Sequence, residues 1–552
     1  MASEAGINLP VNPLSSFPFA RDWIEDKGTA RDFFLPADDG FASAVRDRDG
    51  WPWQPWSGEE VGELTAFNES VGNRVGAQLA AHLADRRTLA IVTGQQPNLF
   101  ASPLYIVHKA LSARAHAERL QATAGRTVIP IFWVASDDHD FRELRDCWLL
   151  QPDGGMTNLG DVSSRGEGIP TDSPAYLWTL KDSAARLRDK LQEALPGECS
   201  KHAAQALVAE ALQGNATFEE AFCRTLTALL GRDRPVLFVV PRLQVLRNRQ
   251  RALLRQNFEA GDESARLLEQ AAVEMQASGY APGLHRDPNV LNAFYLHEQR
   301  RLRLVSDGDN VLVQDSLRHA TVKTLTRAEL YAELENEPER FSPNVVTRPI
   351  LQDLVLPTAS YVGGPGEVAY LAQLAGVYKL HDVPRPAVAL RSLVTLLDTC
   401  TIESLEKLGI DPRQPISQPH IIQEQILSKD PQTGTLLQAM RKLESDVTMN
   451  LQFMRQDPAL SHPHVSVAVE KTGRSISQSL SRMRARLARQ VTRESWNRYA
   501  RAMTALAPLG SPQERWLSPL NFLIEQDPAA LSERLSTRCD YTSPYPQTVR
   551  VD

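Results

Sequence analysis

LAIVTGQQPNLFASPLYIVHKALSARAHAERLQATAGRTVIPIFWVASDDHD, residues 89–140, carries the reading of the fold. Its first residues, LAIVTG (89–94), are a short apolar run closed by Gly94, the pattern of a strand buried on both faces. The polar loop QQPNLFAS follows, and Ser102-Pro103 predicts an N-cap with proline in the first helical turn. Helical spacing then runs from Leu104 to about Gln121, and Gly125 ends it. VIPIFWVAS (128–136) is a second buried strand. Strand, helix, strand at this spacing is a βαβ unit, which implies a parallel sheet.

Farther along, NVVTRPILQDLVLPTASYVGG (344–364) leads into PGEVAYLAQLAGVYKLH, which has helical spacing, and PAVALRS (386–392) reads as another strand. The chain re-enters the first sheet here. Between the two blocks, 150–340 holds helical stretches at 182–195, 203–213 and 216–230 and candidate strands at 235–241, 291–297 and 301–314. It reads as an insertion or a second α/β unit. From 433 the text changes: Leu436, Met440, Leu443, Val447 and Met454 keep three/four spacing, DPALSHPH (457–464) breaks it, and Val469, Ile476, Leu480, Met483 and Leu487 resume it. That is an antiparallel helical hairpin or coiled coil. The expected division is 1–149, an N-terminal segment with Trp51, Trp53 and Trp56 and the first half of the core; 150–340, an inserted connecting region; 341–432, the second half of the core; 433–508, the coiled coil; and 509–552, a tail packing on the core.

The chain has 552 residues with Lys+Arg 60 against Asp+Glu 67, a net charge of −7. That balance argues against wrapping nucleic acid, and nucleic acid is not an expected partner. The N-terminus shows no basic start with an apolar run, and VIPIFWVA (128–135) is far short of the ~20 residues of a membrane helix. A soluble, cytoplasmic protein with no membrane partner is expected. Five cysteines without a CxxC argue against a disulfide framework or a cysteine-based zinc site, and no metal is expected. GxxxxGK[ST], GxGxxG, HExxH and GxSxG are all missing, which removes most P-loop ATPases, nicotinamide dehydrogenases, zincins and α/β-hydrolases.

Three loops could carry chemistry. Gly94-Gln95-Gln96-Pro97-Asn98 lies between strand and helix, where ligands bind in open parallel sheets and where a helix start suits a phosphate or carboxylate. A polar connection that caps the helix is the plainer use. Ser136-Asp137-Asp138-His139-Asp140 follows the second strand; three carboxylates and an imidazole there could orient an amine, act as a base or, as the weaker reading, hold a divalent metal, or simply supply loop polarity and an N-cap. Tyr361-Val362-Gly363-Gly364-Pro365-Gly366-Glu367 allows close backbone approach to a ligand and puts Glu367 in the next helix's first turn, or is simply a tight turn. His108 alone is more often a packed side chain, Asn344, Arg348 and Asp353 include structural polar groups, and Cys147 has no activating neighbour. Arg474, Arg482, Arg484, Arg486, Arg489, Arg493, Arg498 and Arg501 form a basic helix face; a solvated coiled-coil surface outweighs a nucleotide or RNA grip.

In order and detail these stretches resemble one family. TGQQPNLFASPLYIVHKA (93–110), VIPIFWVASDDHDF (128–141) and FSPNVVTRPILQDLVLPTASYVGGPGEVAYLAQL (341–374) are similar to BshC, the cysteine-adding enzyme of bacillithiol biosynthesis; TFEEAF (217–222), NAFYLH (292–297) and PQERWLSPLNFL (512–523) add support. The resemblance implies a Rossmann-like core, similar to class I aminoacyl-tRNA synthetases and nucleotidyltransferases, with inserted connecting segments and a coiled coil. By it the Gly94–Asn98 loop takes the place of the synthetase HIGH region, Ser136–Asp140 lies where those enzymes bind the amino acid, and Arg391-Ser392 echoes KMSKS by position, although neither motif is present literally. The implied reaction is amide formation between cysteine and the amino group of glucosaminyl-malate.

Such a reaction needs an activated carboxyl, a base for the incoming ammonium and positive charge for the malate carboxylates. Asp137, Asp138 and His139 are expected at a substrate amino group, with His139 as base. Gly94, Gln95, Gln96 and Asn98 are expected at the anionic end or a phosphate, and Tyr361, Gly363, Gly364, Glu367 and Arg391 at the opposite wall. ATP or another nucleotide is admitted as cofactor without being assigned. A homodimer through the coiled coil is expected. The competing readings are an adenylate-forming nucleotidyltransferase on another substrate and an RNA-binding synthetase-like protein.

Overall fold

The computed structural model describes residues 13–34, 41–195, 198–231, 234–285, 287, 289–316, 318–407, 431–456, 493–523 and 525–551; between 457 and 492 it describes 468, 471–473, 475, 476, 478–480, 482 and 483. Five strands, β1 (Leu89–Gln95), β2 (Val128–Val134), β3 (Leu237–Val239), β4 (Thr358–Gly363) and β5 (Ala387–Leu390), form one sheet in the order β5-β4-β1-β2-β3. Every neighbouring pair is parallel. The expected α/β parallel-sheet core is therefore present, and its continuous apolar strands are buried along their length. Phe132 of β2 packs on Phe222 and Phe238; burying side chains of this size contributes about 1.5–3 kcal/mol each.

The helix α1 (Tyr105–Ala124) connects β1 to β2 and ends at Gly125, whose φ of +62 suits glycine after a helix. Its start differs from the expectation. Ser102 does not cap it, because its hydroxyl donates to Ser518 Oγ at 2.7 Å and lies against Cys147, and the helix begins two residues after Pro103. The chain steps from β1 to β2 on one side while β4 pairs on the other, so strand order reverses between β1 and β4. A crevice opens at the carboxyl ends of strands at such a reversal. Gly94 is required there: a Cβ on it would stand 2.8 Å from the Trp133 carbonyl oxygen.

The region 150–340 is not wholly an insertion, since β3 is an edge strand of the central sheet. The remainder includes an antiparallel sheet of Phe341–Pro343, Val290–His297, Arg300–Asp307, Asn310–Gln314 and Thr321–Thr326, in that spatial order. Tyr295, Leu302, Leu304, Val311 and Val313 fill its own core. Alternation sends Phe294 and Arg301 to the other face, toward the ends of β1 and β2.

Near the C-terminus, Gln547–Arg550 pairs in parallel with Val394–Leu397, and Arg501 of the helix Arg493–Leu506 bonds Asp398 at 3.2 Å. The helix Pro431–Gln456 is one coiled-coil arm, in which Leu437 and Met440 are buried, as is Leu480 of the second arm. The expected break at 457–464, Val469, Leu487, and Arg474, Arg484, Arg486 and Arg489 lie outside the described residues. Among the described residues, no helix is long and apolar enough to cross a membrane.

Candidate active site

A cleft of about 440 Å³ lies over the carboxyl ends of β1 and β2 and is closed by the antiparallel sheet. Gly94, Gln95, Gln96, Asp137, Asp138, His139 and Glu367 all line it. Three loops far apart in sequence thus meet because parallel strands deliver their following loops to one edge.

The Ser136–Asp140 loop is fixed by Asp140, whose Oδ1 accepts from the Arg142 and Glu143 N–H groups at 3.1 and 3.3 Å and starts a short helix. The two aspartates before it have different tasks. Asp137 is buried, and both its oxygens are taken by Arg247, at 2.5 and 3.2 Å, on α2 (Gln244–Ala277). It clamps α2 to the sheet edge rather than standing free for a substrate amino group. Asp138 is more open: Oδ1 accepts from the His139 N–H at 2.7 Å, Oδ2 from Gln96 Nε2 at 2.5 Å, and Arg301 Nη1 lies 3.8 Å away. Burial opposes its ionisation, but Arg301 and the Gln96 bond outweigh burial and hold its pKa below the ordinary carboxylate value. His139 is shifted below its usual range by burial and then by the Arg301 charge, so the ring is neutral at pH 7.

The facing wall is cationic. Arg301 donates to Ser342 Oγ and the Pro343 carbonyl, both at 3.1 Å, and lies 3.8 Å over the Phe294 ring. Arg348, on α3 (Thr347–Val355), donates to the Tyr370 hydroxyl at 2.8 Å, and among the described residues no carboxylate comes within 4.0 Å of it. Burial works against its charge, and Tyr370, Tyr361 and Glu367 raise its pKa further than burial lowers it.

Glu367 sits in the first turn of α4 (Pro365–Ala372), where it accepts from the Gly364 N–H and the Tyr361 hydroxyl, each at 2.8 Å, and from the Lys109 ammonium. Lys109 also donates to the Gly94 carbonyl at 2.7 Å and Gln95 Oε1 at 3.1 Å, so one buried lysine ties the β1 loop to the β4 loop. Burial lowers the Lys109 pKa, with Glu367 opposing; burial raises that of Glu367, but Lys109 outweighs it and leaves the carboxyl below its ordinary value.

At the helix starts beside the cleft, several N–H groups are already bonded within the protein. At α4 the position is filled by Glu367's own carboxylate. At α1 the N–H groups of Leu104, Ile106 and Val107 are taken by the carbonyls of Leu517, Pro103 and Leu104.

The other expected residues lie away from the cleft. Asn98 is buried with Nδ2 on the Glu143 carbonyl at 3.2 Å. Gly363 and Gly364 make the turn behind Glu367, and Tyr361 is buried behind it. Arg391 is paired with Glu514 at 2.7 and 2.9 Å inside the protein. His108 is buried, with Nδ1 2.9 Å from the Tyr541 hydroxyl. Cys147 is buried, and burial pushes its thiol up to about 11. The sequence reading did not pick out Lys109, Arg247, Phe294 and Arg301, and gave Arg348 no site role. One signal was available: in RRLRL (300–304) arginine alternates with core leucines on a strand, which aims Arg301 off the core face.

A parallel Rossmann-like sheet, a polar cleft over its carboxyl edge and a coiled-coil arm define the class. Residues 9–392 match the family model described as "Bacillithiol biosynthesis BshC, N-terminal Rossmann-like domain", and 394–540 the one described as "Bacillithiol biosynthesis BshC, C-terminal coiled-coil domain". The chain belongs to the BshC family. It is 30% identical over 462 residues to the "Putative cysteine ligase BshC" of Salinibacter ruber, covering 82% of this chain and 81% of the relative. The protein of the same name from Heliobacterium modesticaldum is 34% identical over 62% of this chain and 61% of its own. That from Bacillus pumilus is 26% identical over 92% and 94%.

Proposed function

We propose that this chain is a carbon–nitrogen ligase that joins the cysteine carboxyl to the amino group of glucosaminyl-malate in bacillithiol biosynthesis, and that the cleft over β1 and β2 is where it does so. The observation that carries the reading is the charge placed in the cleft: the ionised Asp138, with Arg301 3.8 Å from it, and Arg348, which meets no carboxylate within 4.0 Å among the described residues. The carboxylate takes the substrate's ammonium, and the guanidinium groups take carboxylates of the malate end. Gln96 keeps Asp138 oriented, while Lys109 and Glu367 hold the floor at fixed spacing, which lowers the cost of bringing two substrates together.

The reading takes 1–149 and 341–432 as two halves of one reaction core and 433–508 as an assembly arm. Leu436, Leu443, Met449, Phe453 and Met454 are exposed along the first arm and suit a homodimer contact. The cytoplasm, which keeps free cysteine reduced, suits the reaction. Mass spectrometry of small thiols in a strain lacking the gene tests the function. Loss of bacillithiol with accumulation of glucosaminyl-malate is expected. An unchanged thiol pool contradicts the reading and returns the adenylate-forming and RNA-binding alternatives.

A further inference from the structure

The imidazole of His139 reaches the cleft with one nitrogen already engaged. Nδ1 lies 3.3 Å from Arg301 Nη1. A guanidinium has only donors and keeps its charge in proteins, so Nδ1 is the acceptor. The neutral ring then carries its single proton on Nε2. Arg301 cannot easily turn away. Its Nε and Nη2 are anchored on Ser342 and Pro343, and its face lies on Phe294, which itself meets the His139 ring edge-on with centroids 6.0 Å apart. The anchoring strand and the Arg301 strand are both hydrogen-bonded to the strand that carries Phe294.

The acidic groups around the ring do not reverse this. Asp138 Oδ1 lies 3.8 Å from Nδ1, but both Asp138 oxygens already accept stronger bonds, from the His139 N–H and from Gln96. Asp140 and Asp172 also favour the charged ring; Asp140 is occupied by the cap of the next helix, and Asp172 by Arg300 at 2.8 Å. Among the described residues Nε2 has no hydrogen-bond partner, and the ring lines the cleft.

We propose that His139 acts as a hydrogen-bond donor through Nε2 to the carbonyl oxygen of the cysteine acyl group under attack, and that Arg301 is the positioning residue that fixes this tautomer. The substrate named here rests on the cysteine-ligase reading; the tautomer does not. The acyl group is taken as activated, as an acyl phosphate or adenylate. As the neutral amine nitrogen bonds to the acyl carbon, the C=O electron pair moves to the oxygen, and a donor aimed at it stabilises that charge without transferring its proton. When the C=O re-forms, the bond to the phosphate or adenylate oxygen breaks, that anion leaves, and the extra amine proton passes to solvent. This differs from the base role expected of His139, because the nitrogen facing the substrate has no free lone pair.

Two measurements test it. Long-range proton–nitrogen correlation spectra of the full-length protein labelled with 15N-histidine, with His139 assigned by H139Q, should show Nε2 protonated and Nδ1 bare at pH 7. A proton on Nδ1, or a doubly protonated ring at pH 7, overturns the tautomer. In cells lacking the gene, H139Q keeps an amide N–H near the Nε2 position, so it should restore the bacillithiol pool to within about threefold of wild type, whereas H139A should fall on the order of 100-fold short. Equal loss in both variants overturns the donor role. If deleting the gene leaves the thiol pool unchanged, the cysteine-ligase reading fails while the spectra still decide the tautomer.

Discussion

Buried arginines on the two sides of the sheet's carboxyl edge are treated in opposite ways. Beside β5, Arg391 meets Glu514 with both terminal nitrogens and also donates to the Ser392 carbonyl, and the pair is sealed in the protein. In the cleft, Arg301 is held by a serine, a carbonyl and a histidine, and Arg348 by a tyrosine hydroxyl, with no bidentate carboxylate for either. A bidentate buried ion pair is architecture; Arg301, with only a 3.8 Å approach to Asp138, and Arg348, held by a tyrosine hydroxyl, keep charge beside the cavity for a ligand. Asp137 and Asp138 repeat the contrast on the acidic side, one matched on both oxygens by Arg247, the other bonded only to neutral N–H donors.

Removing one member of the bidentate pair should have the largest effect. R391M leaves the Glu514 carboxylate buried without a cation, and unfolding in denaturant should show a loss of about 3–5 kcal/mol. D138N should do the reverse. It keeps the shape and loses the charge that holds an ammonium, so product formation should fall on the order of 100-fold while the unfolding midpoint barely moves. If D138N proves as destabilising as R391M, the contrast between the two regions is broken.

A smaller effect sharpens it. In the unfolded chain His139 protonates near pH 6.5; in the folded protein burial, and then Arg301, delay protonation to lower pH. The unfolded state therefore binds more protons as pH falls below about 6.5, and the stability contributed by the neutral ring, complete above that pH, declines. Wild type should lose stability relative to H139Q as the pH is lowered through this window, read as a widening gap in Tm. The smallest effect is expected of C147A. With its thiol buried and pushed up to about 11, Cys147 is no nucleophile, and activity should stay within about twofold of wild type.

The sequence made one half of the cleft legible. Short-range patterns reveal β1, α1 and β2 and the loops that follow strands, so Gly94–Gln96, Asp138, His139 and Glu367 could be found from context alone. What could not be read was pairing. Whether Asp137 is free depends on Arg247, 110 positions away, and whether Arg391 is free depends on Glu514, 123 positions away. The cationic wall is supplied by an antiparallel sheet and a helix whose placement over β1 and β2 is set by long-range packing. An arginine on a strand carries the same letter whether it faces solvent, a glutamate or a cleft. The α1 start is similar: only the fold shows that Leu517, Pro103 and Leu104 carbonyls take the Leu104, Ile106 and Val107 N–H groups.

The most direct test of the central claim is the affinity of the purified full-length protein for glucosaminyl-malate, by titration calorimetry, in wild type and R348M. A charge-assisted contact to a carboxylate contributes about 1.5–3 kcal/mol, so the account predicts binding weakened roughly 10- to 100-fold in R348M with an unchanged Tm. Equal affinity in the two proteins would contradict it and move the malate end of the substrate away from this cleft.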